Sequence, residues 1–247
     1  YVYTISAPVF TAPVAGGSVV ACPADTEVVP VAPTVTDNCG RTVAAVLTSQ
    51  TDDVICTGTK SYTFTYTDCS GVTATWNYVY TISAPVFTAS VDGGSVVACP
   101  ADAEVVPVAP NVTDNCGRTV AAVLTSQTDD VICTGTKTYT FTYTDCSGAT
   151  ATWNYVYTIS APVFTAPLDG GSVVACPADT EVVPVAPTVT DNCGRTVAAV
   201  LTSETDDIIC TGTKTYTFTY TDCRGVTATW NFVYTISAPV FTAPVDG

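Results

Sequence analysis

The chain has 247 residues and few charges: 12% of its side chains are charged, and 22 acidic residues against 7 basic ones give a net charge of −15. The basic residues are too few to form a patch that binds phosphate, which argues against nucleic acid or an anionic membrane as a partner. Histidine and methionine are both absent, so the commonest general base, the imidazole metal ligand and a start residue are all missing. We therefore expect a non-enzymatic piece of a longer protein that uses no cofactor. No apolar run approaches 18 residues, so no membrane span is expected.

Internal repetition organises the whole sequence. The string YVYTISAPVF begins at Tyr1 and returns at Tyr78 and Tyr155, then once more with a single change at Phe232, always after 77 residues. Repetition at a fixed period predicts tandem domains. The predicted segments are an orphan last strand of a preceding repeat at 1–7, repeats at 8–84, 85–161 and 162–238, and an orphan first strand of a following repeat at 239–247.

Each repeat shows the alternation of short β-strands and none of the period of a helix. Aromatic residues alternate with hydroxyl residues over 61–67 and again over 76–82, on either side of a turn at 68–71. This pattern predicts a hairpin. Its buried face is predicted to contain Tyr62, Phe64, Tyr66, Trp76, Tyr78, Tyr80 and Ile82. Weaker strands are predicted at 19–22, 28–36 and 42–48. The second of these is expected to be an edge or bulged strand, because Pro30 and Pro33 cannot donate to a ladder.

The number and spacing of these strands predict an all-β fold of tandem immunoglobulin-like sandwiches. The connection Ser83-Ala84-Pro85 leads directly into a predicted first strand at 86–88, without the glycine and serine run of a flexible linker. We therefore expect the repeats to form a stiff, disulfide-stapled rod.

Each repeat contains four cysteines, and an even count at fixed spacing without histidine favours disulfides and an extracellular location over zinc. The long strand between Cys56 and Cys69 keeps these two apart, which excludes one of the three pairings within a repeat. Of the two crossed alternatives, an immunoglobulin-like topology favours Cys22 near Cys56 at one end and Cys39 near Cys69 at the other. The predicted bridges are Cys22–Cys56, Cys39–Cys69, Cys99–Cys133, Cys116–Cys146, Cys176–Cys210 and Cys193–Cys223.

Four motifs in each repeat resemble a known family. They are CPAD from Cys22, VTDNCG over 35–40, ICTGTK-YTFTYTDCSG over 55–71 and TATWNYVYTI over 73–82. Together they are similar to four-cysteine HYR-like (hyalin-repeat-like) immunoglobulin-fold modules, which form long arrays in giant surface adhesins of Bacteroidota, including gliding species. The resemblance implies type IX secretion, display on the cell surface or in a filament, and a role in adhesion or motility. Ordinary hyalin repeats often have a cysteine where this chain has Trp76, so their usual disulfide is not transferred.

Two further sets of side chains have alternative interpretations. Asp37, Asn38 and Asp68 lie in loops that a Cys39–Cys69 bridge would draw together, and their oxygens suit calcium; turn-stabilising side chains are the favoured interpretation. Asp52 and Asp53 are expected in an exposed acidic loop. Alternating threonine is ordinary on the wet face of a strand. The alternatives for that face are O-glycosylation and an array that orders water or ice, and the residues concerned are Thr63, Thr65 and Thr67.

The function predicted from these features is mechanical: a structural segment of a long extracellular adhesin or surface filament, serving adhesion, motility or biofilm. The alternative is a set of repeated modules that bind glycans or surfaces by avidity, for which an exposed Trp76 or Tyr78 would be evidence. Neighbouring repeats, further copies in a filament and glycans are the expected partners.

Overall fold

The computed structural model describes residues 1–238, so the strand predicted at 239–247 lies outside the described residues. Each repeat has six strands and one short 3₁₀ helix. The first repeat contains β1 (Gly16–Val20), a 3₁₀ helix (Pro23–Glu27), β2 (Val35–Thr36), β3 (Thr42–Val43), β4 (Ala45–Gln50), β5 (Gly58–Thr67) and β6 (Thr73–Ile82). The second contains β7 (Gly93–Val97), a 3₁₀ helix (Pro100–Glu104), β8 (Val112–Thr113), β9 (Thr119–Val120), β10 (Ala122–Gln127), β11 (Gly135–Thr144) and β12 (Thr150–Ile159). The third contains β13 (Gly170–Val174), a 3₁₀ helix (Pro177–Glu181), β14 (Val189–Thr190), β15 (Thr196–Val197), β16 (Ala199–Glu204), β17 (Gly212–Thr221) and β18 (Thr227–Ile236).

The described chain divides into two compact units. The first unit contains Tyr1–Asp92, Val108–Thr125 and Thr140–Trp153. The second unit contains Gly93–Pro107, Ser126–Tyr139 and, of the described residues that follow, 154–238. Within residues 1–238, no helix has the length and apolar character needed to cross a membrane.

In the first unit, a four-stranded sheet has the order β1-β6-β5-β4, with β2 and β3 as a separate two-stranded ribbon. β5 and β6 form an antiparallel hairpin in which Phe64 lies opposite Trp76, and β1 adds to β6 in parallel. The third repeat, in the second unit, repeats this arrangement as β13-β18-β17-β16. The predicted all-β, immunoglobulin-like tandem architecture is confirmed.

Aromatic side chains of the hairpin form the core of the first repeat. Tyr62, Phe64, Tyr66, Trp76 and Tyr80 are buried, as the alternation predicts, while Tyr78 packs half-buried against them. Edge and tilted ring contacts, such as Phe64 with Trp76 at 5.6 Å between centroids, join neighbouring rings. The core of each repeat therefore depends on one strongly alternating hairpin.

Tyrosine hydroxyl groups of this core donate hydrogen bonds to the backbone of the irregular segment between β1 and β2. The hydroxyl of Tyr62 donates to the carbonyl of Thr26 (2.7 Å) and that of Tyr66 to Pro33 (2.6 Å). This segment was predicted to be a strand over 28–36, but only Val35–Thr36 pairs in a ribbon. Pro30 and Pro33 have no N–H to donate to a ladder, which explains the difference.

Two other predicted strands are not formed. Residues 1–5 and 86–88 have no assigned strand, and side chains such as those of Tyr1 and Ile5 are exposed. The copy of residues 1–5 at 78–82 lies in β6, where it pairs with β5. Residues 1–5 lack such a pairing in the described chain, which accounts for their irregular backbone.

Close approach of β1 to β6 requires glycine at its start. A β-carbon on Gly17 would lie 2.8 Å from the carbonyl oxygen of Val79, and one on Gly16 would lie 2.6 Å from the ring of Tyr78. Both distances are shorter than real contacts, so a side chain at Gly17 would push the two strands apart and one at Gly16 would displace the ring of Tyr78. The paired glycines thus place β1, and with it the cysteine that follows it.

Candidate functional site at the junction between repeats

The disulfides of the first unit join different repeats. Cys22 of the first repeat is bonded to Cys116 of the second, with their Cα atoms 5.5 Å apart, and Cys56 is bonded to Cys146 at 5.9 Å. Both distances lie in the range that a bridge requires. The first cysteine of one repeat therefore pairs with the second of the next, and the third pairs with the fourth.

The second unit follows the same rule. Cys99 is bonded to Cys193 at a Cα separation of 5.5 Å, and Cys133 to Cys223 at 5.9 Å. The structure therefore corrects the pairing predicted within repeats. The predicted pairs that it does not contain are Cys22–Cys56, Cys39–Cys69, Cys99–Cys133, Cys116–Cys146, Cys176–Cys210 and Cys193–Cys223.

Strand register explains which cysteines share an end. Val20 at the end of β1 and Gly58 at the start of β5 both lie beside Ile82. Cys22 follows the first of these positions and Cys56 precedes the second, so both lie at the end of the sheet where β6 finishes. Cys69 lies in the turn at the opposite end, between β5 and β6. The predicted placement at two ends agrees with this register, but the partner comes from the adjoining repeat.

Cys39 is positioned by an aspartate turn between β2 and β3. The N–H groups of Cys39 and Arg41 donate to Oδ1 of Asp37, each at 2.9 Å, and Nε of Arg41 donates to Oδ2 at 2.9 Å. The backbone N–H of Arg41 is the strongest influence that holds the pKa of Asp37 below its usual value. Gly40 completes the turn with φ of +75°, a conformation that suits glycine.

Cys69 occupies a second aspartate turn. The N–H and hydroxyl of Ser70 and the N–H of Val72 donate to Oδ1 of Asp68 at 2.8, 2.8 and 2.9 Å. Burial is the largest influence on the pKa of Asp68 and raises it, but these donors together bring the pKa below its usual value. Both turns thus present a cysteine on a backbone fixed by an ionised carboxylate.

Most oxygens of the proposed calcium ligands accept hydrogen bonds from the protein itself, and the exception is Oδ2 of Asp68, which is buried without a hydrogen-bond partner. Besides the contacts of Asp37 and Asp68, Oδ1 of Asn38 accepts from the N–H of Val9 at 3.0 Å. Within residues 1–238, no group of three or more histidine, cysteine or acidic side chains is placed to hold a metal ion. Through these contacts the three side chains stabilise the backbone around them.

The asparagine of this turn also holds the first residues of its own repeat. In the first unit, Asn115 accepts from the N–H of Val86 through Oδ1, and its own N–H donates to the carbonyl of Val86, each at 2.9 Å. Pro85, just before, is buried. These two hydrogen bonds lie within the second repeat and fix its first residues directly after the connection at 83–85.

An arginine adds a further contact across each junction. Nη1 of Arg118 donates to the carbonyl of Ile55 at 2.5 Å in the first unit, and Arg195 makes the equivalent contact with Ile132 in the second. The side chains of Arg118 and Arg195 are 32% and 33% exposed, whereas that of Arg41, the copy in the first repeat, is 54% exposed. The hydrogen bond from arginine to the isoleucine carbonyl is thus found at both junctions that are linked by disulfides.

Each repeat also contains a buried lysine that the sequence predictions do not include. Lys60 is 1% exposed, and its Nζ lies 2.5 Å from Oδ1 of Asp53 and 2.9 Å from Oε1 of Glu27. Hydrogen bonds to Asp53 and then Glu27 raise its pKa above the usual value. The signal was available, because Lys60 continues the inward alternation of Tyr62 and Phe64. Asp53 lies in an exposed loop, as expected, but is one partner of an ion pair.

The threonine face is partly engaged in hydrogen bonds. The hydroxyl of Thr63 donates to Oδ1 of Asn77 at 2.8 Å, and the hydroxyls of Thr65 and Thr48 lie 2.9 Å apart. Thr67 is exposed. Trp76, whose exposure would indicate glycan binding, is only 4% exposed.

Comparisons with known proteins match this pattern of repeats. A family model described as "HYR-like domain with 4 cysteines" matches residues 10–82, 87–159 and 164–236. Hyalin of Strongylocentrotus purpuratus is 30% identical over an alignment of 227 residues that covers 86% of this chain and 19% of that protein. Hyalin of Lytechinus variegatus is 29% identical over an alignment of 213 residues that covers 80% of this chain and 40% of that protein. The chain thus spans well under half of either relative.

Solved cadherin structures also align with the chain. Protocadherin gamma B2 extracellular cadherin domains 1–5 align with 95% of this chain and 60% of that chain, at 11% identity and a TM-score of 0.34. Mouse cadherin-23 EC22–24 aligns with 93% of this chain and 98% of that chain, at 10% identity and a TM-score of 0.31.

Proposed function

Because this chain belongs to the family of HYR-like domains with four cysteines, we propose that it is a load-bearing segment of a long extracellular adhesin or surface filament. The observation that carries the proposal is that the four disulfides within residues 1–238 all join neighbouring repeats. A tensile load passes from repeat to repeat through these bonds as well as through the backbone.

The bridges shorten the covalent route through the chain. Along the backbone, Cys22 and Cys223 are separated by about 200 residues, which reach roughly 700 Å when extended. Through the bridges Cys22–Cys116 and Cys133–Cys223, the same route needs only the segment from 116 to 133. That segment has about 17 residues and reaches roughly 60 Å. The oxidised chain therefore cannot lengthen far even when its sheets unfold.

Disulfides persist outside the reducing cytosol, which supports secretion and an extracellular place of action. The resemblance to adhesin repeats of Bacteroidota supports type IX secretion and display on the cell surface.

Among the threonines proposed for O-glycosylation, Thr67 is exposed, whereas Thr63 and Thr65 use their hydroxyls in hydrogen bonds. The alternative of glycan binding by avidity has less support, because Trp76 is buried.

Single-molecule stretching of the full chain between its two termini tests the proposal. We expect the oxidised chain to reach a contour length shorter than that of the chemically reduced chain by about 180 residues, roughly 600 Å. The reduced chain is the matched control because its sequence and attachment points are identical. Equal contour lengths in the two states would overturn the proposal, since the bridges would then carry no load between repeats.

A further inference from the structure

The buried lysine of the first repeat contacts both segments that carry the cysteines at the end of its sheet. Nζ of Lys60 lies 2.9 Å from Oε1 of Glu27 and 2.5 Å from Oδ1 of Asp53. Glu27 ends the 3₁₀ helix that begins directly after Cys22, and Asp53 lies three residues before Cys56. One ammonium group therefore joins the segment of Cys22 to the segment of Cys56.

Further hydrogen bonds fix the segment of Cys22. The N–H of Cys22 donates to Oδ2 of Asp25 at 3.1 Å, and the hydroxyl of Thr26 donates to the carbonyl of Pro23 at 2.7 Å. The hydroxyl of Tyr62 in turn donates to the carbonyl of Thr26 at 2.7 Å. The short helix after Cys22 is thus tied to β5, the strand that carries the lysine.

The segment of Cys56 is tied to the same strand. The N–H of Thr51 donates to the carbonyl of Ser61, and the N–H of Ser61 donates to the hydroxyl of Thr51, each at 3.0 Å. Asp53 follows Thr51 by two residues and reaches Lys60, the neighbour of Ser61. The strand β5 therefore anchors both cysteine segments, and Lys60 contacts both of them.

The second repeat has the same arrangement. Nζ of Lys137 lies 2.6 Å from Oδ1 of Asp130 and also contacts Glu104, and the lysine side chain is 1% exposed. These carboxylates lie in the segments of Cys99 and Cys133, which are bonded to the third repeat. The cluster thus accompanies both pairs of cysteines that bond to the following repeat.

The cysteines on the other side of the first junction are fixed as well. Cys116 and Cys146 lie in turns held by aspartates of the second repeat. A bridge requires Cα atoms within about 7 Å, so both bridges form only when the spacing of Cys22 and Cys56 matches that of the two turns. Cys22 and Cys56 lie at the same end of their sheet, and they can bond to each other if their segments move.

We propose that Lys60 and Lys137 are positioning residues for disulfide formation. Each holds the two cysteine segments of its repeat at the spacing of the turns in the following repeat, so that both cysteines bond across the junction and not to each other. The lysine is not consumed. For each bridge, two protein thiols and one oxidised glutathione give one protein disulfide and two glutathione thiols. This goes beyond the load-bearing role, because it concerns how the correct bridges are selected.

Oxidative refolding of the whole chain tests this role. The reduced, unfolded chain is refolded to equilibrium in a glutathione redox buffer, and its bridges are mapped by mass spectrometry. Fragments of the first two repeats are distinguishable by mass, because Thr26 and Ser61 of the first are Ala103 and Thr138 in the second. We expect the wild-type chain to regain the bridges of both junctions.

Lys60→Met should change the first junction alone. We expect the share of molecules with both bridges of that junction to fall several-fold, with Cys22 bonded to Cys56 in the lost share. The bridges of the second junction should form as in wild type. Lys137→Met should do the reverse and leave the first junction intact.

Three further variants separate positioning from general stability. Glu27→Gln and Asp53→Asn each weaken one of the two ion pairs, so each should lower the bridging of the first junction less than K60M does. Phe64→Leu loosens the core of the same hairpin but leaves the lysine and both carboxylates in place. Its bridges should match those of wild type.

Bridging in K60M that equals wild type would overturn the proposal. An equal loss at both junctions in K60M would do the same, as would a loss in Phe64→Leu as large as that in K60M, because the bridges would then follow overall stability. None of these outcomes changes the stretching of the oxidised wild-type chain. Failure of the positioning role and failure of the load-bearing role are therefore distinguishable.

Discussion

Arg118 of the second repeat donates through Nη1 to the carbonyl oxygen of Ile55 in the first, at 2.5 Å. Ile55 directly precedes the bridged Cys56, so the hydrogen bond supports the loop that carries the disulfide. Nε of the same guanidinium holds Asp114 of the aspartate turn at 2.8 Å. One side chain thus connects the two sides of the junction next to both bridges.

Replacing Arg118 with alanine should therefore destabilise the oxidised chain more than the same change at Arg41. Both variants lose the contact with the turn aspartate, but only R118A also loses a hydrogen bond across the junction. A hydrogen bond from a charged donor contributes about 1.5–3 kcal/mol, and we expect a difference of about 1 kcal/mol in the free energy of unfolding by urea, since the site is partly exposed. Equal effects would show that the contact with Ile55 contributes nothing.

The buried Lys60 predicts a dependence of stability on alkaline pH. Its pKa in the folded chain is raised by Asp53 and Glu27, so its contribution is complete below the unfolded pKa of about 10.4 and is lost as the pH rises through the higher folded value. Lys60→Met removes the charge and keeps an apolar stem. The difference in urea midpoint between wild type and K60M should shrink above about pH 10.5.

Lys60→Ala is the companion variant, because it removes the stem as well. We expect its melting temperature to lie below that of K60M by several degrees, about the effect of 1 kcal/mol in a domain of this size. A pH-independent difference between wild type and K60M would contradict a role for the charge.

The aspartate turns predict the opposite dependence at acid pH. Because the pKa of Asp37 is lowered on folding, the contribution of its carboxylate is present above the unfolded pKa of about 3.9 and is lost as the pH falls through the lower folded value. Wild type should melt above D37N at pH 6, and the two melting temperatures should converge near pH 2. D52N, which changes an exposed carboxylate of another loop, is the control. A gap between wild type and D37N that persists at pH 2 would contradict the prediction.

Gly17 predicts an effect of adding a single methyl group. Its β-carbon would lie 2.8 Å from the carbonyl oxygen of Val79, so Gly17→Ala should separate β1 from β6 and destabilise the chain by about 1–3 kcal/mol, the usual range for overpacking. Val19→Ala, at a position of the same strand that is 72% exposed, should cost much less. Thermal unfolding of the oxidised proteins compares the two, and equal losses would refute the role of close approach.

Much of the fold follows from the alternation within one hairpin. Tyr62, Phe64 and Tyr66 repeat at the period of a strand, and this alone identifies the buried face. Lys60 lies two positions before Tyr62 and so points to the same face, but a charged residue is not expected to be buried there. The segment around Pro30 was harder, because its backbone is held by aromatic hydroxyls from distant strands, which no local pattern reveals.

The pairing of the cysteines could not be obtained from the repeats alone. Cys116 is a copy of Cys39, so a bridge from Cys22 to the second cysteine of its own repeat and one to that of the next repeat look identical in composition and motif. Strand length removes one pairing within a repeat, as argued from Cys56 and Cys69, but it gives no information about the neighbouring repeat. Only the direction in which each turn faces decides between them.

The bridges have a consequence for hydrolysis by proteases. The connection between the first two repeats runs from Ile82 to Gly93, and one cut there would normally release a domain. Here the fragments stay attached through Cys22–Cys116 and Cys56–Cys146. Separating the two repeats requires one broken peptide bond and two reduced disulfides. A single cut by a protease therefore leaves the chain in one covalently linked piece.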